Sequence, residues 1–459
     1  MKKITKIIFI LALASCEAQN PESDMTSSVS VFQNVKVIDV RDGSITEGVN
    51  VVVENGKVTS MNASSNNFGK ATIIDGKGKF LMPGLTEMHA HIPSPQWGRD
   101  RTDETLFLYL SNGVTTIRGM LGHPEHLKLR AKAENNEILS PRIFTSSPSV
   151  NGNSVKNREE ANEKVAQYRA DGYDFLKIHP GLKLEVFNEI VKTANDVGIG
   201  FSGHVPVDIG VRRAIASGYS SIDHIDGFLE GLVPASTNVD PNQNGFFGYN
   251  FTHLADAEKI DELAYLTKKY KVWVVPTQSL FGRWFSPVDP ETIAGNDPDF
   301  KYMPRSTVEQ WIKSKKSLIE NPEYSVEKYV LFTDLRYQLI KSLHENGHGL
   351  LLGSDAPQVF NVPGFSIHHE LAGIIDAGLT PLEAIQTGTI NPATFFGMEG
   401  QFGEVKTGAS ADLILLDNNP LEDIKNLRKP AGVMVRGRWL DREMIDAMLL
   451  DIAERAKDI

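Results

Sequence analysis

The chain has 459 residues, 41% hydrophobic and 23% charged, the composition of a folded globular protein rather than a disordered or fibrous one. A formal net charge of −11 favours solubility and argues against a nucleic-acid footprint, which would need a basic face. Cys16 is the single cysteine, so neither an intramolecular disulfide nor a Cys-based zinc site can form.

The chain opens on Lys2, Lys3 and Lys6, followed by an apolar run over 7–14 that is too short to span a bilayer as a helix. Leu13-Ala14-Ser15-Cys16 then resembles a bacterial lipoprotein signal, in which Cys16 becomes the lipid-bearing first residue. Residues 1–28 are accordingly expected to be signal peptide and tether, placing the protein in the cell envelope, anchored to a membrane and facing the periplasm or exterior. Strand-like runs at 31–40, 49–54 and 57–61, the last two flanking Asn55-Gly56, return near the C-terminus at 411–416 and 432–436. They predict a small β-sandwich domain built from both ends of the chain, 29–80 and 401–459, the latter including a C-terminal helix.

Between them, over 81–400, strand-sized apolar runs alternate with helix-sized amphipathic stretches, the pattern of parallel βαβ units. Strands are expected near 79–88, 114–118, 141–146, 174–179, 198–204, 219–224, 272–278 and 349–355, about the number that closes a (β/α)₈ TIM barrel, so the fold class is α/β. Helices are expected over 184–196, 208–216, 367–377 and 381–389. Two connections, 225–255 and 279–321, are long enough to serve as lids or substrate walls.

Chemistry gathers where these strands end. The first ends in His89-Ala90-His91, the fourth passes through Lys177, the fifth ends at His204, the sixth at His224 and the eighth at Asp355. Barrels of this kind collect their catalytic groups at the C-terminal ends of strands, so residues far apart in sequence would converge. Residues two apart on a strand share a side, so His89 and His91 can grip one ion, and imidazole and carboxylate suit zinc and related cations. His179 shares the side of Lys177, and Arg118 ends the second strand, where a guanidinium could bind a substrate carboxylate in a two-pronged contact. His368-His369-Glu370 reads as structural, and His123, His126, His253, His344 and His348 as surface or packing residues.

Several motifs together resemble the amidohydrolase superfamily, most of all the branch of imidazolonepropionase-like proteins and metal-dependent Xaa-Pro dipeptidases. They include Leu81-Met82-Pro83-Gly84-Leu85 running into His89-Ala90-His91, Phe175-Leu176-Lys177-Ile178, Gly203-His204-Val205, Ser221-Ile222-Asp223-His224 and Leu352-Gly353-Ser354-Asp355-Ala356. The resemblance implies two divalent ions, zinc the first expectation, with His89, His91 and Asp355 holding one and His204 and His224 the other. A carboxylated Lys177 and a hydroxide would bridge them. A lysine ammonium has only donors and cannot ligate a cation, but a neutral amine can capture carbon dioxide, and the resulting carbamate has two oxygens with which to join two metals. The implied activity is hydrolysis of an amide C–N bond in a small substrate such as a dipeptide or N-acyl amino acid, with Asp355 as proton shuttle and Arg118 and His179 as substrate contacts. Lactone, carbamate or phosphotriester hydrolysis would use the same site. Deamination is disfavoured, because that branch places a Glu where Val207 stands and lacks the lysine. A non-catalytic, lipid-anchored binding protein is a more remote reading, since every expected ligand is present. Substrate identity and any homo-oligomeric state stay open.

Overall fold

The structure, a computed structural model, describes residues 29–62 and 68–457, so Cys16 and the expected signal and tether lie outside the described residues. Among the described residues no helix is long and apolar enough to cross a membrane.

Alternating apolar residues build the first strands, β1 (Ser30–Ile38), β2 (Ile45–Glu54), β3 (Lys57–Asn62), β4 (Thr72–Asp75) and β5 (Phe80–Pro83). β2 and β3 form the hairpin that Asn55-Gly56 predicts: both turn residues have positive φ, 53° and 74°, as a two-residue twisted turn requires.

The barrel follows as β6 (Leu85–Ala90), β7 (Val114–Gly119), β8 (Arg142–Val150), β9 (Phe175–Ile178), β10 (Gly200–Gly203), β11 (Ser221–Asp223) and β12 (Trp273–Val275), which pair in that order as a seven-stranded parallel sheet. β13 (Leu413–Leu416), β14 (Gly432–Val435) and β15 (Arg438–Asp441) return to the first sheet, where β13 pairs antiparallel with β5. That sheet has eight strands, and its β3 edge hydrogen-bonds back to the segment before β13 through Val58 N–H to Ala409 O at 2.9 Å. Rolled in this way, it encloses its own core of Phe32, Val51, Val53, Val58, Leu413 and Met434.

Two expectations shift. The run at 79–88 is not one strand: β5 belongs to the terminal sheet and β6 to the barrel, so the terminal sheet extends to Pro83. Gly84 makes the break because the chain there presses on β7; a Cβ at Gly84 would sit 2.0 Å from Thr115 Oγ1. The eighth barrel position, 349–355, carries no laddered strand. It closes the barrel through single bridges, Val274 to Leu350 and Ala90 to Ala356, with Met88 N–H donating to Leu352 O at 2.8 Å and Asp355 N–H to His89 O at 3.0 Å.

Helices cover the outside. Leu184–Val197 buries Val186, Phe187, Ile190 and Ala194 on one face and stops at Gly198, whose φ of 69° suits a left-handed C-cap. Pro381–Thr387 starts with a reciprocal cap between Thr380 and Glu383. The C-terminal helix Arg442–Ala456 lies against the barrel helix Arg99–Ser111, with Arg455 Nη1 3.4 Å from Glu104 Oε1.

Candidate metal centre

The C-terminal ends of β6, β9, β10, β11 and the eighth segment carry His89, His91, Lys177, His204, His224 and Asp355 to one cavity of about 440 Å³. Ligand atoms of His89, His91 and Asp355 all lie within 4.8 Å of one another. Asp355 Oδ1 is 2.7 Å from His91 Nε2 and 3.3 Å from His89 Nε2. The ring centroids of His89 and His224 are 4.5 Å apart, and those of His204 and His224 4.7 Å. Lys177 Nζ lies 3.5 Å from His89 Nε2 and no nearer than 4.0 Å to Asp223, the closest carboxylate in ion-pair range.

The backbone is strained where it presents these groups. His224 and Asp355 have φ of 66° and 63°, as does Thr277 behind them at 47°, a region non-glycine residues seldom occupy. Gly203, beside Lys177, is needed for a different reason: a Cβ there would lie 2.4 Å from Ile178 O.

One nitrogen of His204 and one of His224 are already engaged. His204 Nδ1 is 2.9 Å from Asp226 Oδ2, and His224 Nδ1 is 2.9 Å from Thr277 Oγ1. His89 Nδ1 lies 3.1 Å from Asp223 Oδ2, although the alignment falls short of a hydrogen bond. A carboxylate beside Nδ1, as at His204 and His89, holds the proton there and frees Nε2 to donate a lone pair. Asp223, Asp226 and Thr277 carry no role in the sequence reading. Two of them are close to His224 in sequence, Asp223 within the stretch Ser221-Ile222-Asp223-His224 and Asp226 two residues beyond it.

Burial sets the charge state. It holds His89 and His224 well below the ordinary histidine value, helped by Lys177 and neighbouring imidazoles. Burial also lowers the Lys177 ammonium from its usual range. A largely buried cluster of lone-pair donors around one carboxylate, with a buried amine lacking a close anionic partner, fits divalent cations better than it fits a packed polar core.

His179 also reaches this cavity. Its Nδ1 is 2.5 Å from Ser149 Oγ, its ring lies 5.0 Å from that of His204, and burial, then Lys177, push its pKa down to about 2. Arg118 does not reach it, and the expected carboxylate contact must be withdrawn. Its side chain is wholly buried inside the barrel, beneath the cluster. Nε donates to Met88 O at 2.6 Å, Nη1 to Ser221 Oγ at 2.9 Å and Nη2 to Asp223 Oδ1 at 3.0 Å, and the plane rests on Phe175 and Phe395. It therefore supports Asp223, which faces His89. Arg118→Met should lower unfolding free energy by about 3–5 kcal/mol in denaturant titration, because it strands a buried carboxylate; a loss under about 1 kcal/mol would show that Asp223 does not depend on it.

His368 Nε2 lies 3.1 Å from Asn112 Oδ1; His369 Nε2 lies 3.0 Å from Arg283 Nη1 and shares with Asp297 and Asp299 a second group of ligand atoms within 4.8 Å of one another. Glu370 accepts from Gln278 and Ser279 N–H. The outer wall of the cavity comes from the two long connections, which supply Asn244, Phe246 and Phe247, and Leu280 and Trp284. Phe247, at φ 54°, sets its ring 5.4 Å from His224 and 6.0 Å from His204.

Residues 326–440 match the model of the amidohydrolase family. A dihydroorotase of Ligilactobacillus salivarius is 23% identical over 390 residues, 80% of this chain and 85% of that protein. Among solved structures, a bottromycin amidohydrolase superposes with a TM-score of 0.71 at 21% identity, covering 93% of this chain and 90% of that one. A Xaa-Pro dipeptidase solved with methionine in its active site gives 0.63 at 22% identity, covering 90% of this chain and all of that one. At these identities the structural likenesses show a shared fold.

Proposed function

We propose that this chain, whose segment 326–440 matches the amidohydrolase family and whose fold is shared with a bottromycin amidohydrolase, is a binuclear metal-dependent hydrolase that cleaves the amide C–N bond of a small substrate. The observation that carries this reading is the convergence of four histidines, Lys177 and Asp355 on one cavity of about 440 Å³, a size that suits a small organic molecule. His89, His91 and Asp355 would hold one ion and His204 and His224 the other, with a carboxylated Lys177 between them; zinc suits this donor set. Bound there, the ions would bring the pKa of water to about 7 and polarise a carbonyl. Asp355 sits between His91 and His89, with its other oxygen 3.8 Å from His224 Nδ1, so a proton taken up on this carboxylate is central to the cluster and within reach of a leaving nitrogen. His179 offers a substrate carbonyl or carboxylate a polar partner at the cavity wall.

A dipeptide or N-acyl amino acid is the substrate class we place first, in keeping with the dipeptidase likeness. The burial of Arg118 favours a second reading, hydrolysis of a lactone or carbamate, because no guanidinium lines the cavity among the described residues to meet a free carboxylate. Elemental analysis should find two divalent ions per chain, and the loaded protein should release amines from N-acyl amino acids or dipeptides. One ion with full activity would sink the binuclear assignment. Turnover of lactones alone, or release of ammonia from an aminated heterocycle, would sink the amide assignment.

A further inference from the structure

The cavity over the cluster does not end at its aromatic wall. Asn244, Gly245, Phe246 and Trp284 line it, and the same four residues line a second cavity of about 630 Å³ on their far side. More room therefore lies beyond the wall than over the cluster.

The second cavity is built, not left over between loops. Lys315 is buried on the helix Arg305–Ile319 and donates to the carbonyls of Arg283, Trp284 and Ser286 at 2.7, 3.1 and 2.6 Å, which fixes the segment carrying Trp284. Tyr324 donates to Phe285 O at 2.8 Å and Tyr249 to Ser325 O at 3.0 Å, and the two tyrosine rings stack with centroids 5.8 Å apart. Asn244, in the wall itself, is held by Glu230 Oε1 at 2.6 Å.

The chemistry of the lining is that of a neutral, hydrogen-bonding ligand. Asn242, Asn250, Gln310, Ser314 and Asn321 supply amides and a hydroxyl, and the one cation among the described lining residues, Lys313, is offset by the carboxylate of Glu323, so the lining carries no net charge. Amide side chains both donate and accept, which matches the alternating N–H and C=O of a peptide backbone. Phe246 is 58% exposed and lies 5.4 Å from Trp284, a surface for an apolar side chain to rest on. Trp284 Nε1 is buried and donates to no protein atom, an unmet bond within the wall that both cavities share.

We propose that the second cavity is a substrate subsite and that the preferred substrate is a peptide longer than a dipeptide. Its scissile amide lies over the cluster and its remainder passes Phe246 and Trp284. The proposal rests on the reading of the cluster as an amide hydrolase centre.

The test is a calorimetric titration of the metal-loaded protein with phosphinic peptides, in which a –P(O)(OH)–CH₂– link replaces the scissile amide and prevents cleavage. A two-residue analogue is compared with four-residue analogues extended on either side of that link. One extended analogue should bind at least about tenfold more tightly than the short one. Ser314→Trp, which fills the second cavity, should bring that ratio close to one, and the exposed Gln310→Ala should lower it several-fold without endangering the fold. A short analogue that binds with no gain from either extension, or a gain that survives Ser314→Trp, would overturn the subsite and leave the amide reading standing. Failure of every analogue to bind would overturn both.

Discussion

Lys177→Ala should lose at least about a thousandfold in kcat/KM, a barrier increase of about 4 kcal/mol, and should retain less metal than the wild type. Lys177 is buried on β9 yet borders the cavity, and its Nζ stands 3.5 Å from His89 Nε2 with its nearest carboxylate in ion-pair range at 4.0 Å. An ammonium in that position would be poorly compensated, whereas a carbamate would bring two anionic oxygens to the middle of the imidazoles. Removing the side chain also leaves a hole facing the cavity. Acetate or propionate can enter it from solvent and present two oxygens where a carbamate on Lys177 would lie, so partial recovery of activity and metal content is expected as acid is added. Recovery separates lost chemistry from lost packing, because a misfolded barrel would not respond to acetate. Wild-type activity and metal content in the variant would remove Lys177 from the centre.

Much of this centre is legible in the sequence because two rules of strands suffice for it. His89 and His91 share a side by the two-residue period, and strand ends converge in a parallel barrel. The same rules fail at Arg118. It too ends a strand, but strands in a barrel are tilted and staggered, so a strand-end residue can face the mouth or the packed layer beneath it. Arg118 is level with Met88, one residue short of His89, and its charge is spent on Asp223. Nothing in the local sequence carries that stagger. Asp223 is hidden for a related reason: its partner His89 lies on β6, on another strand of the barrel and far away in sequence. The eighth segment looked like a full strand over 349–355, yet its backbone turns into positive φ at Asp355, and only single bridges form. The long connections were readable as walls, but Phe247 at φ 54° over two histidines, and a second cavity beyond Trp284, follow from how those loops pack.

Asp355→Asn should cost between about a hundredfold and ten-thousandfold in kcat/KM, the range that positioned proton transfer contributes. Asparagine keeps the shape of the side chain and tolerates the left-handed backbone at this position, where φ is 63°, so the substitution tests charge and proton capacity without a backbone penalty. The change takes away the anionic oxygen 2.7 Å from His91 Nε2 and 3.3 Å from His89 Nε2, so metal affinity should also fall. Titrating metal back into the variant separates the two losses. If Asp355 only holds an ion, saturating metal should restore turnover to within about tenfold of the wild type. If it also carries the proton to the leaving nitrogen, the fully loaded variant should stay slow on poor leaving groups such as alkyl amines. It should recover most on anilides, whose nitrogen departs with less need of a proton. Equal recovery on both kinds of leaving group would assign Asp355 to metal binding alone and require another proton donor at the cavity.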